Sequence, residues 1–218
     1  MSGRSANASI KGYNYQFLHT IKDILEQSDN DVCVIEGIED FDIEKDGEKD
    51  LIQYKFHEMK TFTNSRVAKP IALMFKHFQA NQQESNNYKL FIYLTSSELP
   101  EITLSIITEV LKIKEARTIL SDTDVDLTNE NIDSLSNDIG LFIEKLSWKL
   151  TKKYEDLEKE IIEDFKNNLG ITSEESEIIY LSNAIKIVND LAIKRNEEER
   201  KITKRTFISK LNSYKKKE

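Results

Sequence analysis

The chain of 218 residues holds one cysteine, two prolines, six glycines and three histidines. A lone Cys33 makes no internal disulfide and no cysteine-based zinc site, and His19, His57 and His77 are too scattered for a zinc cluster. So few chain breakers predict long helices. No apolar run approaches the ~18 residues of a membrane span. No basic start leads into an apolar stretch either, so the sequence predicts a soluble, cytoplasmic protein with no membrane partner. Thirty-nine percent hydrophobic residues can fill one ordinary core or two small ones.

The formal net charge of −8 argues against a generic nucleic-acid coat, but the charge is unevenly spread. Residues 119–199 carry 9 Lys and Arg against 20 Asp and Glu, whereas residues 200–218 carry 8 against 1. A basic tail of this kind meets phosphates or an acidic surface, or forms the solvated face of a last helix. Lys201, Lys204 and Arg205 open it and are candidate DNA contacts.

Apolar positions from Ile10 through Tyr13, Phe17, Ile21, Ile24 and Leu25 recur at helical spacing. The β-branched run from Val32 to Ile43 predicts one strand. Asp46-Gly47 signals a hairpin, and Asp50 to His57 returns as a second strand. Pro70 predicts the first turn of a helix containing Ile71, Met74, Phe75 and Phe78. Tyr88 to Thr95 reads as a buried strand, and Ile102 to Leu111 as a helix.

This order predicts an α/β N-terminal domain over 1–120, a mixed central sheet flanked by helices. An acidic linker over 121–138 follows, then an all-α helical domain over 139–218 for assembly or partner binding.

Chemistry concentrates on the hairpin. In one extended strand, Glu36, Asp40 and Asp42 share a face, and on the returning strand Gln53 and Lys55 share another. If the faces meet, carboxylates, an amide oxygen and an ammonium converge, a set suited to Mg²⁺. The plain alternative is a solvated turn with an ordinary Asp40–Lys55 cross-strand pair. Against it, Gln53 and Lys55 sit within an otherwise apolar strand, where unpaired polar groups are costly. Cys33 and Trp148 read as core, and Tyr13 and Tyr15 as divided between core and site.

An Asp followed about a dozen residues later by Gln-x-Lys resembles the PD-(D/E)xK restriction-endonuclease-like superfamily, in its Gln-x-Lys variant. Gly12-Tyr13-x-Tyr15-Gln16, Glu36-Gly37-x-Glu39-Asp40 and Ile52-Gln53-Tyr54-Lys55 together resemble the dsDNA nuclease domain of bacterial anti-phage effectors of CBASS and Lamassu type. Phe142-Ile143-x-Lys145-Leu146 and Arg200-Lys201-Ile202-Thr203 look like the helical segment that often follows it.

The resemblance implies a restriction-endonuclease-like fold and a metal-dependent DNA endonuclease using Mg²⁺ or Mn²⁺. Asp40 or Asp42, with Asp40 favoured, would hold the metal beside Gln53. Lys55 would be the catalytic lysine, and Gln16 would complete the site. His57, two residues past Lys55, and Ser96, at a strand end, are further candidate DNA contacts. The chain lacks the family's proline before the acid and its third-motif Glu, which predicts weak metal affinity. The resemblance further implies a homo-oligomer with a defence partner in trans, such as an SMC-like ATPase. The rival expectations are a non-catalytic DNA-binding or adaptor subunit on the same fold, and a purely structural helical assembly factor.

Overall fold

The computed structural model describes residues 6–57, 61–95, 98–121, 132 and 134–215. They form two compact units. One runs up to Gly47, takes in Tyr54–Phe56 and resumes from Lys152; the other comprises Glu48–Gln53 and His57–Thr151.

The first unit opens with helix α1 (Ala6–Glu26), which starts before the expected Ile10. Its buried stripe of Tyr15, Leu18, Ile21, Ile24 and Leu25 follows the helical period. Strand β1 (Val32–Ile35) then pairs antiparallel with β2 (Phe41–Lys45), setting Val34 opposite Asp42 and Ile35 opposite Phe41. This corrects the single strand expected over Val32 to Ile43. Glu36 has a positive φ of 52°, which extended backbone cannot accommodate, so the chain turns there and returns from Phe41. The expected hairpin turn is present, with φ of 53° at Asp46 and 85° at Gly47. Two successive positive φ values give the mirror-image two-residue hairpin turn.

Strand β3 (Glu48–Phe56) is divided, with Tyr54–Phe56 belonging to this unit. From Lys152 onward the unit adds helix α6 (Tyr154–Leu169), ended by Gly170 at φ 62°. Helix α7 is composite: Ser173–Glu175, a π turn over Ser176–Leu181, and Ser182–Ala192. A capping box between Thr172 and Glu175 starts it. The 3₁₀ turn Glu197–Arg200 leads into β6 (Lys201–Ile202), antiparallel to β1 with Cys33 opposite Ile202. Helix α8 (Lys204–Lys215) closes the described chain.

Helix α1 packs on α6 and α7, burying Leu157, Ile161 and Phe165 on the former and Ile187, Val188 and Leu191 on the latter. The Tyr15 hydroxyl donates to the Lys152 carbonyl at 2.7 Å, and Lys22 pairs with Asp164 at 2.6 Å. Cys33 is core as expected, and burial pushes its thiol up to about 12.

The second unit holds Glu48–Gln53 of β3, helix α2 (Asn64–Ala80), strand β4 (Asn86–Tyr93), helices α3 (Leu104–Leu111), α4 (Lys114–Ser121) and α5 (Ser136–Lys145), and strand β5 (Leu146–Leu150). Lys49 N–H donates to the Ser85 carbonyl at 2.9 Å and His57 N–H to Tyr93 at 3.1 Å, so β3 and β4 run in the same direction. Strand β5 is parallel to β4, Tyr88 opposite Leu146. The core centres on Phe142, whose ring lies 5.4 Å from those of Phe75 and Tyr88 and 5.5 Å from that of Phe78.

Two expectations change here. Pro70 lies inside α2, not in its first turn; the missing N–H leaves the Arg66 carbonyl without its helical partner, and burial of Val67, Ile71, Met74, Phe75 and Phe78 carries the helix through. The C-terminal region is not all-α, because β5 and β6 join the sheet. Leu146, Trp148 and Leu150 alternate with Ser147 and Lys149, a period-2 pattern in a segment that also fits a helical stripe. Most of the expected linker over 121–138 lies outside the described residues; within it, Ile132 is fully buried in the second unit's core, which continues to Thr151. Trp148 packs as expected, edge-on to Phe62, with its indole N–H on the Pro100 carbonyl at 2.9 Å.

The strands hydrogen-bond in the order β5-β4-β3-β2-β1-β6, a mixed sheet with flanking helices. Among the described residues, no helix is long and apolar enough to cross a membrane.

Candidate active site

The site is built around the turn between β1 and β2. Glu36 sits in the left-handed region, and its N–H donates to the Asp40 carbonyl at 3.0 Å. Asp42, buried at the start of β2, turns its carboxylate back into the loop. It accepts the Ile38 N–H at 2.7 Å and the Glu39 N–H at 3.2 Å. Gly37 permits this: a Cβ there would fall 2.8 Å from the Asp42 Cγ and closer still to Oδ2. From the other side the Arg200 guanidinium donates to the Glu36 carbonyl. Glu36-Gly37-x-Glu39-Asp40 is therefore the sequence of a pinned turn, not of an extended strand.

Asp40 leaves this turn toward β3, where its Oδ2 accepts the Tyr54 N–H at 2.8 Å. Tyr54 is itself anchored. Its ring is buried and stacks on His19 at 4.7 Å, and its hydroxyl donates to Asp23. Burial and the Asp23 carboxylate hold that phenol well above its ordinary range.

These elements enclose an open cavity of about 420 Å³. Helix α1 contributes Gly12, Tyr13 and Gln16, the turn contributes Glu36 and Asp40, and β3 contributes Tyr54, Lys55 and Phe56. Burial, then the Asp40 carboxylate, pushes Glu36 up against the opposing effect of Arg200 and Lys55. Glu39, just behind the turn, is raised to about 8, chiefly by burial and then by Asp40 and Asp42, with Lys55 opposing. Neighbouring carboxylates thus add to burial at Glu36 and Glu39, and Lys55 opposes them only in part. A hard cation at the cavity would lower that repulsion.

Of the expected site residues, the structure brings Asp40, Lys55 and Gln16 to this cavity. Asp42 does not line it; both carboxylate oxygens are engaged by the turn's backbone, because the chain reverses between Glu36 and Asp40 and removes the expected parity. Gln53 does not line it either. It lies in the second unit, buried, with an amide oxygen that accepts no hydrogen bond. His57 is half-buried in that unit, its N–H on Tyr93. Ser96 lies outside the described residues. Lys201 is drawn to Glu198 at 2.8 Å and Glu44 at 3.9 Å, whereas Arg205 is exposed and Lys204 half-exposed in the first turn of α8.

Glu36 was grouped with Asp40 and Asp42 on one strand face but given no role, and Arg200 as its backbone clamp was not assigned from sequence. The available signal was Gly37, since an isolated glycine in a strand-like run marks a bulge or a close approach. Among the described residues, no group of three or more His, Cys, Asp or Glu is positioned to hold a metal ion. Mg²⁺ retains waters and takes one or two carboxylates, the number that Glu36 and Asp40 supply to the cavity lining. Comparison of the chain with protein-family models, with curated proteins and with solved structures finds no match.

Proposed function

We propose that this chain is a metal-dependent endonuclease of double-stranded DNA, with Asp40, Glu36, Lys55 and Gln16 as its reaction site. The observation that carries the reading is the meeting of two carboxylates, an ammonium and an amide on one open cavity. The motif resemblance to PD-(D/E)xK nucleases of anti-phage effectors supports it further.

Asp40 and Glu36 would hold Mg²⁺ or Mn²⁺, which when bound supplies Lewis-acid polarisation and an activated water. Asp40 is fixed for this role by the Tyr54 N–H, and Glu36 by the backbone bonds of its turn. Lys55 places a positive charge where negative charge develops on the attacked phosphate. Gln16 offers an amide to orient the phosphate or the water. Asp42 supports the turn, and Gln53 is left out because it does not line the cavity.

With a net charge of −8, approach to DNA needs local cations or a delivering partner. The proposal therefore includes activity as a defence effector gated by homo-oligomerisation or by a partner such as an SMC-like ATPase. Native mass spectrometry paired with cleavage tests this: an assembly that cuts supports gating, and a monomer that cuts alone removes it.

The site itself is tested with Asp40→Asn, whose side-chain oxygen still accepts the Tyr54 N–H. Calorimetric Mn²⁺ titration should show binding to the wild type and at least a tenfold loss in the variant, with DNA cleavage lost in parallel. Unchanged Mn²⁺ binding and cleavage would overturn the assignment. DNA binding without metal-dependent cleavage in the wild type would favour the adaptor reading.

A further inference from the structure

We infer that a second cavity, beside the first, receives a nucleobase of the DNA strand whose phosphate lies at Lys55; this rests on the nuclease reading. The cavity measures about 540 Å³, within the roughly 300–1,000 Å³ of small-molecule sites. Tyr13 and Glu36 line both cavities, so a strand passing from one enters the other.

The lining suits a base. Tyr13 and Phe17 on α1 offer aromatic faces, and every base has a π-face to stack on them. Tyr13 is 59% exposed and Ile193, just past the end of α7, is 71% exposed, so both stand ready to be covered. Asn14 and Asn189 are exposed amides, the side-chain type whose donor and acceptor match base edges. The Arg200 Nε is buried without a hydrogen bond while its Nη1 donates to the Glu36 carbonyl. Next to Ile193, Lys194 and Arg195 are exposed, and they supply charge for flanking phosphates in an otherwise acidic protein. An apolar protein side chain would leave the two amides and the guanidinium nitrogen unanswered, whereas a nucleotide engages them.

The test is photocross-linking of a duplex bearing 5-iodouracil to the full chain in EDTA, with the attachment site read by mass spectrometry. Cross-links are expected at Tyr13 or Phe17. Tyr13→Ala should weaken DNA binding about tenfold, as expected for one lost stacking partner, and Tyr13→Phe should restore it. Asn189→Leu should weaken DNA binding while leaving Mn²⁺ titration of the first cavity unchanged. If the protein binds and cuts this DNA but cross-links only elsewhere, the base site is wrong and the nuclease reading stands. If it neither binds nor cuts the DNA, both fall.

Discussion

The Asp42 carboxylate occupies the space into which a side chain on Gly37 would project, and from there it holds the Ile38 and Glu39 N–H groups at 2.7 and 3.2 Å. Gly37→Ala should therefore expel Asp42 and loosen the turn that presents Glu36 and Asp40. The expected cost is about 1–3 kcal/mol of stability, the range for overpacking a filled site. Urea unfolding measures it. Gly12→Ala is the control, because a Cβ there meets nothing within 4 Å.

Glu39 gives the site a pH dependence of defined sign. Its folded value is raised from 4.5 to about 8, so the native state retains a proton that the unfolded state has lost. Between those values stability falls as pH rises, and above about 8 the loss is complete. Glu39→Gln should remove this slope, leaving the variant more stable than wild type at pH 8 and closer to it near pH 4.5. Urea midpoints across that range decide it.

Tyr54 serves the site through its backbone N–H and the fold through its hydroxyl. Tyr54→Phe keeps the bond to Asp40 and removes the one to Asp23. It should cost about 1–3 kcal/mol, the penalty of losing a hydrogen bond between a buried phenol and a partly buried carboxylate. Metal-dependent cleavage should survive where the protein remains folded. A thermal melt and a cleavage assay on the same sample separate these effects.

The basic opening of α8 predicts opposite signs for stability and binding. Lys204 and Arg205 stand in a first turn that has no acidic residue, where cations oppose the helix dipole. Replacing both with Ala should raise stability by about 0.3–1 kcal/mol per site at low salt. DNA affinity should fall, with a shallower salt dependence. Lys201→Ala should change DNA affinity less, because Glu198 and Glu44 already engage that ammonium.

Local backbone chemistry was legible in the sequence where one signal dominated. Asp46-Gly47 announced its hairpin because both residues tolerate positive φ, and the α1 stripe announced a helix by its period. The turn at Glu36 was hidden inside a β-branched run, where Gly37 was its local signal; Arg200, from far along the chain, adds a hydrogen bond to the Glu36 carbonyl. That reading put Glu36, Asp40 and Asp42 on one face, whereas Glu36 and Asp40 line the cavity and Asp42 is tied into the turn. Strand β5 was hidden differently, because Leu146 and Leu150 satisfy both a period of two and a spacing of four. Only its pairing with β4 decides between them. Asp40, Lys55 and Gln16, grouped from the sequence by their order along α1 and the hairpin, line one cavity.

The central claim, that the cavity bearing Asp40 and Lys55 hydrolyses DNA, is tested most directly by plasmid cleavage. Wild type and Lys55→Ala would be compared in Mg²⁺, Mn²⁺ and EDTA across protein concentrations. The account predicts cleavage by wild type that needs the metal and is lost in a variant that remains folded. Cleavage by Lys55→Ala at the wild-type rate, or cleavage indifferent to EDTA, would contradict it.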